Sequence, residues 1–307
     1  MASLFKVGTA LRGRLSTYSF VKELHRAADE GAVFLATRYQ GQTPFLRPLL
    51  DEIVEPSDPP SVLLKHLDSD LLTESNRKRL SRPEIKPVAK CVLRALHVIH
   101  RDGLVHTDVK LGNIFVNYGQ NQRFSTIRLG DCGGVVSENS DFAKEGHLIG
   151  AGFTRSPEAT FQLPWGTATD IWSFGNAILS LLYGGDYHLF NPGIEGFKPD
   201  DNEYELTVLK RMYKFFEPFP QSYDDFHDRE TITIVNYINN LSPPEKPFHR
   251  LTTREVPPLD NKFICRIMKL DPRDRPTTEQ LLADEWFTEE SEDTRDPVQE
   301  KPQAADA

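Results

Sequence analysis

Short runs of alternating apolar and polar residues, typical of β-strands, fill the first part of the chain. The first strand is predicted at about Thr17–Leu24, after a mobile lead-in over residues 1–16. Prolines between residues 56 and 60 separate the last two runs, because proline has no N–H to donate to a neighbouring strand. The runs are S-T-Y-S-F-V-K-E-L, G-A-V-F-L-A-T, F-L-R-P-L-L-D-E-I-V and S-V-L-L-K-H-L.

From about residue 70 the apolar spacing changes to three and four residues, which places apolar side chains on one face of a helix. The clearest example is residues 83–100, where Pro83 and Glu84 suit a first turn. The pattern predicts an α+β fold with a small β-rich N-terminal part and a larger helical C-terminal part. Further helices are predicted at Ala168–Tyr183 and near 206–216, 231–240, 261–270 and 278–283.

Composition narrows the class of protein. The 307 residues suit one large domain or two small ones, and no run approaches the ~18 apolar residues of a membrane helix. The net charge of −9 argues against nucleic acid or an anionic membrane as the main partner. Residues 288–307 contain seven acidic residues against two basic ones, so we expect a disordered acidic tail there.

Cysteine usage and the N-terminus bear on the compartment. Cys91, Cys132 and Cys265 are far apart and form no C-x-x-C pair, so neither a disulfide framework nor a zinc site is predicted. We therefore expect a cytoplasmic or nuclear protein. Residues 1–22 are basic and free of acids, as in a mitochondrial presequence, although a lead-in before a first strand is the preferred interpretation.

The segment from His106 to Asn113 carries candidate chemistry. Asp108, Lys110 and Asn113 are spaced so that they can converge in one tight loop. A carboxylate there can accept a proton from an attacking hydroxyl, and a lysine can neutralise a transferring phosphoryl group. An asparagine oxygen can bind a hard metal ion. By itself, such a segment can also be a surface turn, because polar loops with Asp, Lys and Asn are common.

A second segment strengthens this interpretation. Ile127–Gly130 reads as a strand, and Asp131-Cys132-Gly133 follows it, which places a carboxylate at a strand end with a flexible glycine behind it. Carboxylates in such positions hold a Mg²⁺ ion that bridges nucleotide phosphates. Three further motifs follow in order: R-S-P-E at residues 155–158, D-I-W-S-F-G at 170–175 and L-D-P-R-D-R-P-T at 270–277.

Taken in this order, the motifs resemble those of eukaryotic protein kinases from about residue 17 to residue 287. The resemblance implies a bilobal α+β fold, with an N-terminal lobe at about 17–67 and a C-terminal lobe at about 68–287. It also implies a role for each matching residue: Asp108 as catalytic base, Lys110 as phosphate-neutralising lysine, Asn113 and Asp131 as metal ligands, Glu158 and Arg275 as a buried pair, and Asp170 as the acid that braces the catalytic loop.

Two departures from the family pattern occur at this site. Thr107 stands where the family usually has an arginine that responds to a phosphorylated activation loop, so we expect no control of that kind. Cys132 stands where a phenylalanine is usual, and we expect a small buried side chain there. His106 is expected to be a packed, hydrogen-bonded residue.

The first lobe departs further. Gly31, Val33 and Ala36 match the nucleotide-covering strands, and Val62–Leu67, with Leu64 and His66, is expected to form the hinge beside ATP. No lysine occurs between Lys22 and Lys65, where the family's phosphate-binding lysine should fall. We therefore expect a third strand and a regulatory helix to be absent, which predicts unpaired strand edges. Either a coding segment was skipped in this form or the protein is a degenerate kinase.

Three functions remain open from the sequence. The first is a monomeric protein serine/threonine kinase that uses ATP and Mg²⁺ on a protein substrate. The second is a catalytically inactive, pseudokinase-like binding scaffold, favoured by the missing lysine. The third is a small-molecule phosphotransferase, which shares the catalytic Asp and Asn but is disfavoured by the motifs at residues 156–158 and 170–175.

Overall fold

The computed structural model describes residues 10–19, 43–58, 60–185, 187–216, 218–220, 229–242 and 246–288. These residues form an antiparallel sheet followed by a larger, mainly helical part, which confirms the predicted α+β fold. The G-A-V-F-L-A-T run lies outside the described residues, and so does the acidic tail from residue 289 onward. The predictions for those segments stay predictions.

The N-terminal sheet contains four described strands in the order β2-β1-β3-β4, and all neighbours are antiparallel. Because β3 pairs on one side with β1 and on the other with β4, the unpaired edge expected from the sequence is not found at β3. The first hairpin covers that edge instead. The strands are Ala10–Gly13 (β1), Thr17–Ser19 (β2), Leu49–Glu55 (β3) and Ser61–Leu64 (β4).

The prediction that residues 1–16 form a mobile lead-in is wrong for β1, which begins at Ala10. The turn after β1 is fixed by Asp51 of β3, whose buried carboxylate accepts the backbone N–H groups of residues 14–16 at 3.0–3.3 Å. The Tyr18 hydroxyl donates to the same carboxylate at 3.0 Å. A short hairpin held by a distant carboxylate leaves little trace in the local apolar pattern, so the first strand was expected only at Thr17–Leu24.

The helical part follows the predicted pattern closely. Each of the six predicted helices is present with its bounds shifted by at most a few residues, whereas the three short helices at 71–77, 141–144 and 157–160 were not predicted. Among the described residues, no helix is both long enough and apolar enough to span a membrane. The helices are Leu71–Arg77, Arg82–His100, Asp141–Lys144, Pro157–Thr160, Ala168–Tyr183, Tyr204–Phe216, Arg229–Asn239, Pro258–Ile267 and Thr278–Leu282.

The helix Arg82–His100 is the centre of the core. At its start the Glu84 carboxylate accepts the backbone N–H of Ser81 at 2.7 Å, which satisfies a donor that the helix leaves free. Its apolar face is buried, as the three-and-four spacing predicts, and it packs against the helix Ala168–Tyr183. The two helices form the rigid base on which the loops at residues 106–113 and 130–135 rest.

Two small sheets set the position of these loops. One has the order β5-β7-β8, and the other pairs β6 with β9. Within the first, Ile114 pairs with Leu129, so the loop that ends before Ile114 and the loop that begins after Leu129 emerge side by side. The strands are Ser69–Asp70 (β5), Leu104–Val105 (β6), Ile114–Tyr118 (β7), Phe124–Leu129 (β8) and Val136–Ser137 (β9).

Candidate active site

The loop between β6 and β7 brings three of the predicted site residues together. The Lys110 ammonium lies 2.7 Å from Oδ2 of Asp108. The side-chain amide of Asn113 donates to the same carboxylate oxygen and to the Asp108 backbone carbonyl, both at 2.9 Å. The Asp108 carboxylate is thus held by a cation on one side and an amide on the other, in a part of the loop that solvent still reaches.

Asp170, in the first turn of the helix Ala168–Tyr183, anchors the backbone of this loop. Its carboxylate is fully buried and accepts the backbone N–H groups of His106 and Thr107 at 2.7 and 2.9 Å. The imidazole Nε2 of His100 lies 2.8 Å from the same carboxylate. The predicted bracing of the loop by Asp170 is confirmed. Because buried charge-assisted hydrogen bonds are short and strong, they hold Asp108 in a fixed place.

His106 has the structural role expected for it. The ring is fully buried, and its Nε2 lies 3.1 Å from the carbonyl oxygen of Gly130. A carbonyl only accepts, so Nε2 carries the proton, and Nδ1 faces the backbone N–H of Asp108 at 3.4 Å as an acceptor. The ring therefore connects the two loops through both of its nitrogens.

The second loop is attached directly to the first. The backbone N–H of Gly130 donates to the carbonyl of Asn113 at 2.8 Å, where β7 begins and β8 ends. Asp131 follows with a left-handed backbone, φ 55° and ψ 59°, a conformation that Asp adopts more readily than most residues. The structure therefore places Asp131 in the segment that adjoins the Asp108–Asn113 loop, as the sequence predicts.

Asn113 and Asp131 offer oxygen ligands of the kind that Mg²⁺ prefers. Because the Asn113 amide nitrogen is bound to Asp108, its Oδ1 is the atom left for a metal. Across the described part of the chain, no group of three His, Cys, Asp or Glu residues could hold a metal ion. A site with two protein oxygens fits Mg²⁺, which usually retains water and substrate phosphate as its other ligands.

Thr107, the departure noted in the catalytic loop, has a contact of its own. Its backbone has φ 70°, and its hydroxyl donates to the carbonyl of Gly134 at 2.9 Å. A Cβ at Gly134 would come within 2.5 Å of this hydroxyl, so glycine is needed there. Cys132 is buried, as expected for a small filler. The loop and the segment after Asp131 are thus joined by a neutral hydrogen bond.

Comparison with known families agrees with this geometry. The model of the protein kinase domain matches residues 50–287, which is more than half of the chain. The chain belongs to the protein kinase family. Its N-terminal sheet and helical part are accordingly the two lobes of a kinase domain.

Individual relatives are distant. The chain is 26% identical over 217 residues to a serine/threonine-protein kinase US3 homolog of Varicella-zoster virus (strain Dumas), covering 69% of this chain and 52% of the viral protein. It is 25% identical over 224 residues to serine/threonine-protein kinase PAK mbt of Drosophila melanogaster, covering 72% and 28% of the two chains. Human PAK 4 is 24% identical over 222 residues. The chain spans about half or less of the length of these curated relatives.

The buried pair expected in the kinase domain is confirmed. Both terminal nitrogens of Arg275 lie 2.7 Å from the carboxylate oxygens of Glu158, and neither side chain is exposed to solvent. The Arg275 guanidinium also lies 5.1 Å from the ring centroid of Trp172. The pair ties the end of the segment after Asp131 to the helical lobe.

Of the predicted nucleotide-binding residues on the hinge side, the structure describes Leu64 and His66. Leu64 ends β4, opposite Leu49, and is half-buried, while His66 is exposed. Their contact with a nucleotide stays a prediction. Gly31, Val33 and Ala36 lie outside the described residues.

Sequence reasoning missed one residue in this region. The Arg47 Nε donates to the hinge carbonyl of Lys65 at 2.8 Å, and the Arg47 backbone N–H donates to the carbonyl of Leu129, two residues before Asp131. The only local signal was a cation within an otherwise apolar run.

Proposed function

We propose that this kinase domain is a protein serine/threonine kinase that transfers the γ-phosphate of ATP to a hydroxyl of a protein substrate. One observation supports this most directly: the Asp108 carboxylate is held by Lys110 and Asn113 at 2.7–2.9 Å on a loop anchored by Asp170. This loop presents a base, a cation and an amide oxygen together.

The proposed reaction follows from these side chains. The substrate hydroxyl transfers its proton to the Asp108 carboxylate while its oxygen forms a bond to the γ-phosphorus. The bond from that phosphorus to the bridging β-phosphate oxygen breaks and ADP leaves. Lys110 offsets the negative charge on the transferring group. Asn113 and Asp131 would hold Mg²⁺, which would supply positive charge to the phosphates when bound.

The second candidate is a binding scaffold without catalysis. Two observations favour it: no lysine occurs between Lys22 and Lys65, and the hinge side of the cleft holds Arg47. The distant relatives carry kinase names, and Asp108, Lys110 and Asn113 are all present, which makes the enzyme the better-supported proposal.

A melting experiment tests whether the site binds a nucleotide. If it does, saturating MgATP should raise the melting temperature of the wild-type chain by about 5 °C. The rise should disappear in Asp131→Ala and persist in the control Asp58→Ala, which changes an exposed acid in the connection between β3 and β4. No rise in the wild-type chain would favour the scaffold, and a rise retained in Asp131→Ala would remove Asp131 from the site.

A further inference from the structure

Arg47 lies where the two lobes meet. Its backbone N–H donates to the carbonyl of Leu129 at 2.7 Å, and Leu46 forms a parallel bridge with Leu129. Leu129 is the last residue of β8, two positions before Asp131. Arg47 is therefore fixed to the backbone that leads into the candidate metal ligand.

The Arg47 side chain extends across the cleft toward the hinge. Its guanidinium lies 4.5 Å from the ring centroid of Phe115, and its Nε donates to the Lys65 carbonyl at 2.8 Å. Gly130 makes this arrangement possible, because a Cβ there would meet the Phe115 ring at 2.7 Å and the Arg47 Cβ at 3.2 Å. The cation is thus placed between an aromatic ring and a hinge carbonyl.

The electrostatics agree with this placement. Burial lowers the pKa of the Arg47 guanidinium, and the neighbouring Asp131 carboxylate acts in the opposite direction. Among the residues that the structure describes, Arg47 and Asp131 interact electrostatically but do not form a direct ion pair. The guanidinium is held mainly by the ring and the hinge carbonyl.

These two contacts are the ones that a nucleotide base could make. A purine is a planar group that stacks on an aromatic ring, and its exocyclic amine can donate to a backbone carbonyl. A guanidinium is also planar and also a donor, so it imitates both contacts. The hinge segment around Lys65 is where the sequence predicts the base of ATP.

We propose that the Arg47 guanidinium occupies the part of the cleft that a purine base fills, so that a nucleotide binds only after displacing it. This rests on the proposed nucleotide-binding function and adds a residue that controls access to that site. Displacement breaks one stacking contact and one hydrogen bond, which should weaken nucleotide binding about tenfold relative to an empty cleft.

The test compares two arginine variants by isothermal titration calorimetry with adenosine and with MgATP. Arg47→Met keeps the unbranched stem that packs beside Gly130 and removes the guanidinium. Arg94→Met is the matched control, because the Arg94 guanidinium also stacks on an aromatic ring, 5.1 Å from the centroid of Phe45, but on the exposed side of the helix Arg82–His100. Thermal melts establish that each variant is folded.

The expected result is tighter binding of both ligands to Arg47→Met, by about tenfold, with no change in Arg94→Met. Binding to Arg47→Met alone, with none in the wild-type chain, would support the proposal in its strongest form. Unchanged affinities in Arg47→Met would overturn the proposal and leave the nucleotide site standing. Weaker MgATP binding with unchanged adenosine binding would overturn it in favour of a phosphate contact. Binding of neither ligand to any chain would overturn both the proposal and the nucleotide site.

Discussion

The catalytic loop and the hinge-side wall face the same cleft but differ in how they are held. The loop is fixed by buried hydrogen bonds to Asp170, whose carboxylate is inaccessible to solvent. The wall depends on a sheet of short strands and on the half-buried Arg47. From this difference we expect the Asp108–Asn113 loop to hold one geometry and the Arg47 side chain to be able to move without disturbing the loop.

The largest difference in stability is expected between two ion pairs, one in each lobe. Glu158→Ala leaves the buried Arg275 guanidinium without its partner, so the free energy of unfolding should fall by about 3–5 kcal/mol. Glu55→Ala removes the partner of Arg12 on the N-terminal sheet, where both side chains are about 70% exposed. That change should cost about 0–1 kcal/mol in urea unfolding. If the two variants lost equal free energy of unfolding, the contrast between the lobes would be contradicted.

A smaller loss of stability is expected from Asp170→Asn. The amide keeps the size of the carboxylate but loses its charge, so the hydrogen bonds from residues 106 and 107 weaken and the free energy of unfolding should fall by about 2–3 kcal/mol. In the control Asp70→Asn, the changed residue caps the helix Leu71–Arg77, a role that Asn fills as well as Asp, and stability should not change. If Asp170→Asn left the free energy of unfolding in urea unchanged, the anchoring role of Asp170 would be contradicted.

The smallest effect is a local pH dependence in the first hairpin. Burial opposes ionisation of Asp51, but hydrogen bonds from Leu15, Tyr18 and neighbouring amides outweigh it and lower the pKa of Asp51. A lowered folded pKa stabilises the hairpin above the unfolded value of about 3.9, and this contribution is lost as the pH falls through the folded pKa. Amide NMR shifts of residues 14–16 should therefore stay constant through the pH range in which an ordinary Asp titrates and change only at lower pH.

The matched variants for that titration are Asp51→Asn and Glu55→Gln. The first should abolish the titration of the three amides, because it removes the carboxylate that they face. The second changes an exposed acid on the same strand and should leave the titration as in the wild-type chain. Titration that persists in Asp51→Asn would show that another group controls the turn.

The sequence predicted the helical lobe better than the sheet, for physical reasons. The helix Ala168–Tyr183 was predicted with the bounds observed, since its apolar periodicity is long. The Asp108–Asn113 loop was predicted because its chemistry lies within six consecutive residues. The first strand was misplaced because Asp51, distant in sequence, fixes its turn. The position of Arg47 depends on where the segment before β3 meets Leu129, which no local pattern records.

Transfer of radiolabelled γ-phosphate from MgATP to a peptide library tests the central proposal most directly. The wild-type chain should label serine or threonine peptides, and Asp108→Asn should reduce the rate by about a hundredfold or more while its melting temperature stays unchanged. The substitution keeps a side chain of the same size between Lys110 and Asn113, so a lower rate would reflect the missing base. An inert wild-type chain, or an equally active Asp108→Asn, would contradict phosphotransfer at this loop.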